Sequence, residues 1–136
     1  MIFYADDDLD DLEVFTEIVN NLGRKVLTFS YGDDLMHQLK NPPPTAGIIF
    51  LDINMPKRSG LEILSEIRSA KHWKDLPVVM LSTSDSEETI KQSWILGANF
   101  YIRKSSEINK LAKSIKHALS IDWKLFTPTE KDFFCI

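Results

Sequence analysis

Short apolar runs alternate along this chain with longer segments whose apolar residues recur every three or four positions. The runs are Ile2-Phe3-Tyr4-Ala5, Lys25 to Phe29, Gly47 to Leu51, Val78 to Leu81 and Asn99 to Arg103. Each has strand length, and Gly47 to Leu51 is uninterruptedly apolar, as expected of a central strand covered on both faces. The segments between them read as helices. The first carries an inward stripe of Leu12, Phe15, Ile18, Val19 and Leu22 and is closed by Gly23. Asp33 to Lys40 is a short second helix, and Asn41-Pro42-Pro43-Pro44 after it can only be a surface connection. Beyond the break at Met55-Pro56, Leu61, Leu64 and Ile67 line a third helix. Pro77 introduces the fourth strand. Ser86-Glu87-Glu88 places a cap residue and two acids where the dipole of a fourth helix favours them, and Gly97 ends that helix. Ile108, Leu111, Ile115 and Leu119 stripe a fifth.

Five strands alternating with five helices predict an α/β domain of parallel βαβ units with right-handed crossovers. Of the two common doubly wound orders, the flavodoxin-like (βα)5 arrangement with strand order 2-1-3-4-5 fits the count. It sets the first and third strands side by side in the centre. No repeat or linker divides residues 1–120. Residues 121–136 form a tail carrying Trp123, Phe126, Phe133 and Phe134, too short for a separate output domain. Packing back onto the domain is the expected fate of those aromatics, because soluble monomers rarely expose large apolar patches.

Composition narrows the class. The 136 residues are 43% hydrophobic and 26% charged, with a formal net charge of -4. That is the balance of a soluble globular domain. No apolar run approaches the ~20 residues that cross a bilayer, and the first run is too short for a secretory signal. The expectation is a cytoplasmic protein with no membrane association. Without a dense Lys/Arg stretch, direct nucleic-acid binding is not expected either. The single cysteine, Cys135, has no partner for an internal disulfide.

The chemistry lies where the apolar runs stop. The first ends on Asp6-Asp7-Asp8, the third on Asp52, the fourth on Ser82-Thr83, and the fifth leads through Arg103 to Lys104. Open parallel sheets gather ligands just beyond the carboxyl ends of their strands. Carboxylates packed there repel one another unless a cation binds or a proton is taken up. Mg²⁺ suits such a site, since it is commonly held by one or two carboxylates, water and a phosphate. A carboxylate beside it can attack phosphorus and form an aspartyl phosphate. Lys104 supplies a compact positive charge for a phosphoryl group, and Ser82 supplies a hydroxyl donor. Taken singly, each residue has a plainer explanation. Asp6-Asp7-Asp8 reads as acids at a helix start, Ser82-Thr83-Ser84 as turn chemistry, Lys104 as a solvated strand end and Tyr101 as an ordinary aromatic. Their convergence on one edge, in order, favours the shared site. His37, His72 and His117 lack paired ligand spacing and are expected at the surface.

These pieces resemble the response-regulator receiver domain of two-component phosphorelay signalling. The resemblance runs over about residues 1 to 120, through Ile2-Phe3-Tyr4-Ala5-Asp6-Asp7-Asp8, Leu51-Asp52-Ile53-Asn54-Met55-Pro56 with Gly60, Leu81-Ser82-Thr83, Gly97-Ala98 and Tyr101-Ile102-Arg103-Lys104. It implies a stand-alone phospho-accepting switch that catalyses only its own phosphorylation and dephosphorylation. By that resemblance Asp52 is the phospho-acceptor. Asp6, Asp7 and Asp52 hold Mg²⁺ together with the backbone carbonyl of Asn54. Lys104 pairs with the phosphate, Ser82 is the switch hydroxyl and Tyr101 the aromatic that changes rotamer. The implied donor is a sensor histidine kinase or histidine phosphotransfer protein, docking on the first helix near Asp11, Leu12 and Phe15. An unidentified downstream protein would read the face made by the fourth helix, fifth strand and fifth helix, where Trp94, Ile95 and Tyr101 lie. The same face is open to a homodimer.

Two positions depart from the family pattern. Ser105 stands where proline usually follows the lysine, which leaves the Lys104–Ser105 bond trans, or cis at a cost. Thr83 stands where the family often has alanine or glycine, and its bulk is expected to slow small phosphodonors and water. Two other functions stay open. One is an unphosphorylated interaction module of the same fold. The other is an aspartyl-phosphate phosphatase of the haloacid-dehalogenase type, which wants an acid where Asn54 stands.

Overall fold

A computed structural model of the chain describes residues 1–126 and 128–135, with the Cys135 side chain outside the described part. The expectation that the Cys135 thiol has no partner therefore lies outside the described atoms. The predicted alternation is present. The strands are β1 (Ile2–Ala5), β2 (Val26–Phe29), β3 (Ile48–Leu51), β4 (Val78–Ser82) and β5 (Phe100–Arg103). Between and after them run α1 (Leu9–Asn21), α2 (Gly32–Lys40), α3 (Gly60–Ser69), α4 (Glu87–Ile95) and α5 (Ile108–Ser120). All strands pair in parallel, and the order 2-1-3-4-5 is the predicted one.

Alternation along each strand builds two cores. Phe3 and Ala5 of β1 join Ile49, Leu51, Met80 and Tyr101 beneath α2 and α3, which contribute Leu35, Leu39, Ile63, Leu64 and Ile67. Ile2 and Tyr4 point the other way and join Phe50, Leu81 and Ile102 beneath α1 and α5, which contribute Phe15, Ile18, Val19 and Ile115. Because both faces of β1, β3 and β4 are covered, their side chains are buried throughout. Gly23 and Gly97, both at positive φ, turn the chain out of α1 and α4 as the spacing predicted. Two stripe positions differ. Leu22 is the C-cap of α1 and Ile108 the first residue of α5, so neither lies on a turn that reaches the sheet, and both are exposed. His37, His72 and His117 are on the surface.

The sheet also has a sixth strand that the periodicity did not predict. After a 3-10 turn at Glu130–Asp132, Phe134–Cys135 (β6) pairs in parallel with β5 and extends the order to β2-β1-β3-β4-β5-β6. Tyr101 lies opposite Phe134, and the Tyr101 N–H donates to the Phe133 carbonyl at 3.0 Å. Phe133 is 1% exposed and stacks edge-on against Trp94 of α4 at 5.3 Å. Trp123 and Phe100 approach at 6.0 Å on the other side of the sheet. Phe133, Phe134 and Trp123 thus extend both cores beyond β5, whereas Phe126, also expected to pack back, is exposed.

Candidate functional site

Register brings the acids together. Ala5 pairs with Leu51 across β1 and β3, and the Asp52 N–H donates to the Ala5 carbonyl at 3.0 Å. The residues that follow each strand, Asp6 and Asp52, therefore leave the sheet at one level. Asp6, Asp7 and Asp52 place one carboxylate oxygen each within 4.8 Å of one another. Asp6 and Asp52 are buried and Asp7 is exposed, so the cluster opens to solvent on one side. Oxygen-only donors at that spacing are the set a hard divalent cation prefers, so these residues fit Mg²⁺.

Lys104 is the counter-charge. Its ammonium donates to Asp6 at 2.6 Å and to Asp11 at 2.9 Å, and lies 3.5 Å from Asp52. β5 delivers it: Ser82 pairs with Arg103, and the Lys104 N–H donates to the Ser82 carbonyl at 2.7 Å. Among the described residues the cis peptide bonds fall at Pro42–Pro43 and Pro43–Pro44, so the Lys104–Ser105 bond is trans. Asp6 is held from two further directions. The Asp8 N–H donates to it at 3.0 Å, and the Tyr4 hydroxyl donates to its other oxygen.

These surroundings reset the ionisation of the cluster. Burial, reinforced by the charge of Asp6, pushes the Asp52 carboxyl up to about 7 against the opposing pull of Lys104. Burial disfavours the Lys104 ammonium, yet its hydrogen bonds to Asp6 and Asp11 and the neighbouring carboxylates hold its pKa above that of ordinary lysine. Burial first, then Asp6, keeps the Tyr4 hydroxyl protonated well above its usual range.

The loop after β3 is drawn tight over the site. The Gly60 N–H donates to the Ile53 carbonyl at 2.8 Å, and a Cβ at position 60 would stand 2.1 Å from the Asp52 carbonyl oxygen. Only glycine admits that approach. Asn54 sits exposed in this loop, two residues past Asp52. On β4, Ser82 is fully buried and its hydroxyl accepts from the Ser84 N–H at 3.3 Å, while Thr83 is exposed beside it. The ring of Tyr101 is buried, and its hydroxyl donates to the Ser84 carbonyl at 2.8 Å. Among the nominated residues, Asp6, Asp7, Asp52 and Lys104 form one cluster, and Ser82 is joined to it through the Lys104 backbone. Tyr101 lies in the core shared with Phe133, on the β6 side.

Two residues of the cluster escaped the sequence reading of the site. Tyr4 shares a strand face with Asp6, two positions on, and that spacing was the available signal. Asp11 was noted only as part of a docking helix. Its place in the first turn of α1, capped by Asp8, turns it toward Lys104.

Comparison with known proteins follows the same line. The family model of the response regulator receiver domain matches residues 2–116. Response regulator Rcp1 of Synechocystis sp. is 38% identical over 73 residues, covering 54% of this chain and 50% of the relative. Protein RcaC of Microchaete diplosiphon is 31% identical over 118 residues, 87% of this chain but 18% of that protein. The chain thus spans half or less of these curated relatives. Among solved structures, the phosphorylated cyanobacterial phytochrome response regulator RcpA superposes with a TM-score of 0.80 at 32% identity, covering 94% of this chain and 97% of that one. The Mn(2+)-bound form of Rcp1 gives 0.78 at 27% identity, with 94% and 98% covered. A sheet in the order 2-1-3-4-5, an acidic cluster at its carboxyl edge and a family model that runs over most of its length together place this chain in the response regulator receiver domain family of two-component signalling.

Proposed function

We propose that the chain is a phospho-accepting switch in which Asp52 takes a phosphoryl group from a sensor histidine kinase or a histidine phosphotransfer protein. Receiver domains act with such donors in general, and they are signalling switches rather than ordinary enzymes. The observation that carries the reading is the position of the Lys104 ammonium, bonded to Asp6 and 3.5 Å from the buried Asp52.

In this reading an oxygen of Asp52 forms the new bond to phosphorus as the nitrogen–phosphorus bond of the donor breaks and the imidazole leaves with the electron pair. Asp6, Asp7, Asp52 and the carbonyl of Asn54 would hold Mg²⁺, which supplies neutralisation of the charge on the transferring group. A relative solved with Mn²⁺ supports a divalent ion here. Lys104 orients a second positive charge on the phosphoryl oxygens, and Ser82 gives them a hydroxyl donor. Those two residues and Asp52 carry the self-catalysed gain and loss of phosphate.

A phosphoryl group adds roughly two negative charges at neutral pH. Drawing Ser82 toward it would pull on the loop that holds Ser84, to which the Tyr101 hydroxyl is bonded. Tyr101 then biases the face of α4, β5 and α5 between two packings. A downstream protein reads that face, and a homodimer across it would meet the tail, because β6 already lines β5. Residues 1–120 serve as the receiver unit and residues 121–136 as an appended tail. A cytoplasmic location accords with a chain in which no described helix is long and apolar enough to cross a membrane.

The test is incubation with Mg²⁺ and acetyl phosphate, followed by intact mass, and beryllofluoride titration read by tryptophan fluorescence. A phosphoryl mass increment that disappears in Asp52→Asn is the expected result. Unmodified protein with every donor tried would return the chain to the rival reading of an unphosphorylated interaction module.

A further inference from the structure

We infer that Asp11 is a positioning residue that holds the Lys104 ammonium on α1, away from Asp52, and thereby sets how readily the site accepts a phosphoryl group. The inference rests on Asp52 being the acceptor. An ammonium has three protons to give. Here the two short contacts, 2.6 and 2.9 Å, go to Asp6 and Asp11, and Asp52 at 3.5 Å lies outside hydrogen-bonding length. Two carboxylates thus share the cation that a phosphoryl group on Asp52 would need.

Asp6 has other hydrogen-bond donors in Tyr4 and Asp8 besides the lysine. Asp11 is different. Its side chain is 38% exposed, and its role in the cluster is the contact with Lys104. Asp8 fixes its position by accepting from the Asp10 and Asp11 N–H groups at 2.9 and 3.2 Å. The Lys104 side chain, 11% exposed, has little solvent in which to settle elsewhere. The direction of the side chain is therefore set by its acceptors, and Asp11 is the acceptor drawing it outward.

Asparagine at position 11 keeps the shape and an acceptor oxygen while removing the charge. The ammonium then faces a neutral amide oxygen in place of a carboxylate, the ion-pair attraction at 2.9 Å is lost, and the ammonium should shift toward Asp52. Asp10 lies on the same first turn, exposed, and Asp10→Asn changes the helix terminus by the same charge without removing a contact to the lysine.

The experiment is beryllofluoride titration in Mg²⁺, with aspartyl-phosphate lifetime by intact mass, on wild type, Asp11→Asn, Asp10→Asn, Lys104→Gln and Asp11→Asn/Lys104→Gln. Asp11→Asn is expected to bind beryllofluoride about three- to tenfold more tightly than both wild type and Asp10→Asn, a size set by one partly exposed charged contact. In the Lys104→Gln background the Asp11→Asn gain should vanish, because the effect passes through the lysine. A gain that persists in that background, or an Asp11→Asn affinity equal to or weaker than that of Asp10→Asn, overturns the inference. Asp52→Asn separates the two levels. If it still binds beryllofluoride, the acceptor assignment itself fails. If it does not, and Asp11→Asn behaves as wild type, the role of Asp11 alone is wrong.

Discussion

Replacing Asp52 by asparagine should stabilise the metal-free protein while abolishing its labelling. The Asp52 carboxyl is buried and titrates at about 7 in the fold. In an unfolded chain it would titrate at about 3.9. Between those values the native state holds a proton that the unfolded state has released, so stability falls as pH rises. Below about pH 4 both states are protonated and the burial of this carboxyl is uncharged. Above about pH 7 the native carboxylate is ionised, at a cost of up to about 4 kcal/mol. The asparagine side chain carries no such cost, but Lys104 loses one of its carboxylates in exchange, which leaves a net gain of about 1–3 kcal/mol. For a chain of this length that corresponds to roughly 3–9 °C in Tm. The assay is thermal denaturation by circular dichroism in chelator, at pH 4.5 and pH 8. Asp52→Asn should melt above wild type at pH 8, and the gap should shrink at pH 4.5. Millimolar Mg²⁺ at pH 8 should raise wild type toward the variant. A gap of equal size at both pH values, or wild type the more stable at pH 8 in chelator, would refute the reasoning.

Three further outcomes are expected. Phe133→Ala removes a fully buried ring from between Trp94 and Tyr101; urea denaturation should show a loss of about 3 kcal/mol, and an unchanged midpoint would mean that the tail is not part of the core. Gly60→Ala forces a Cβ toward the Asp52 carbonyl and should cost roughly 1–3 kcal/mol by local overpacking, with slower acetyl-phosphate labelling as the loop shifts; wild-type stability and rate together would contradict the tight approach. Thr83→Ala should label faster with acetyl phosphate if the β-branched side chain, exposed next to Ser82, hinders the approach of the donor; an identical rate discards the steric argument.

Much of the fold could be read because single residues did two jobs. Gly47 to Leu51 announced a central strand through unbroken apolarity, and Asp52 marked where it stops. The same held for Asp6, Ser82 and Lys104, so the strands and the edge of the site were legible together. Legibility failed where the determining contact was distant in the chain. β6 is two residues long, and its pairing with Tyr101 and Ile102 spans more than thirty positions. No local period can signal such a strand. The hydrogen bond from Tyr4 to Asp6 was hidden for a different reason: on a buried strand an aromatic is expected to serve packing alone. Asp11 was masked by its neighbours, since acids in the first turn of a helix already have an explanation in the dipole. Leu22 and Ile108 fit the helical period yet fall where the helices end, which periodicity alone does not reveal.

The short sixth strand changes what β5 offers to other chains. A strand with neighbours on both sides has no free row of amides and carbonyls, so another polypeptide cannot lengthen the sheet at β5 by backbone pairing unless the tail first lets go. Side chains beside β5 remain available for recognition, among them exposed Ile95 at the end of α4 and the polar residues of the 3-10 turn. Homologous receivers without such a strap would present their partners with a bare edge, and a reader suited to one form should find little purchase on the other.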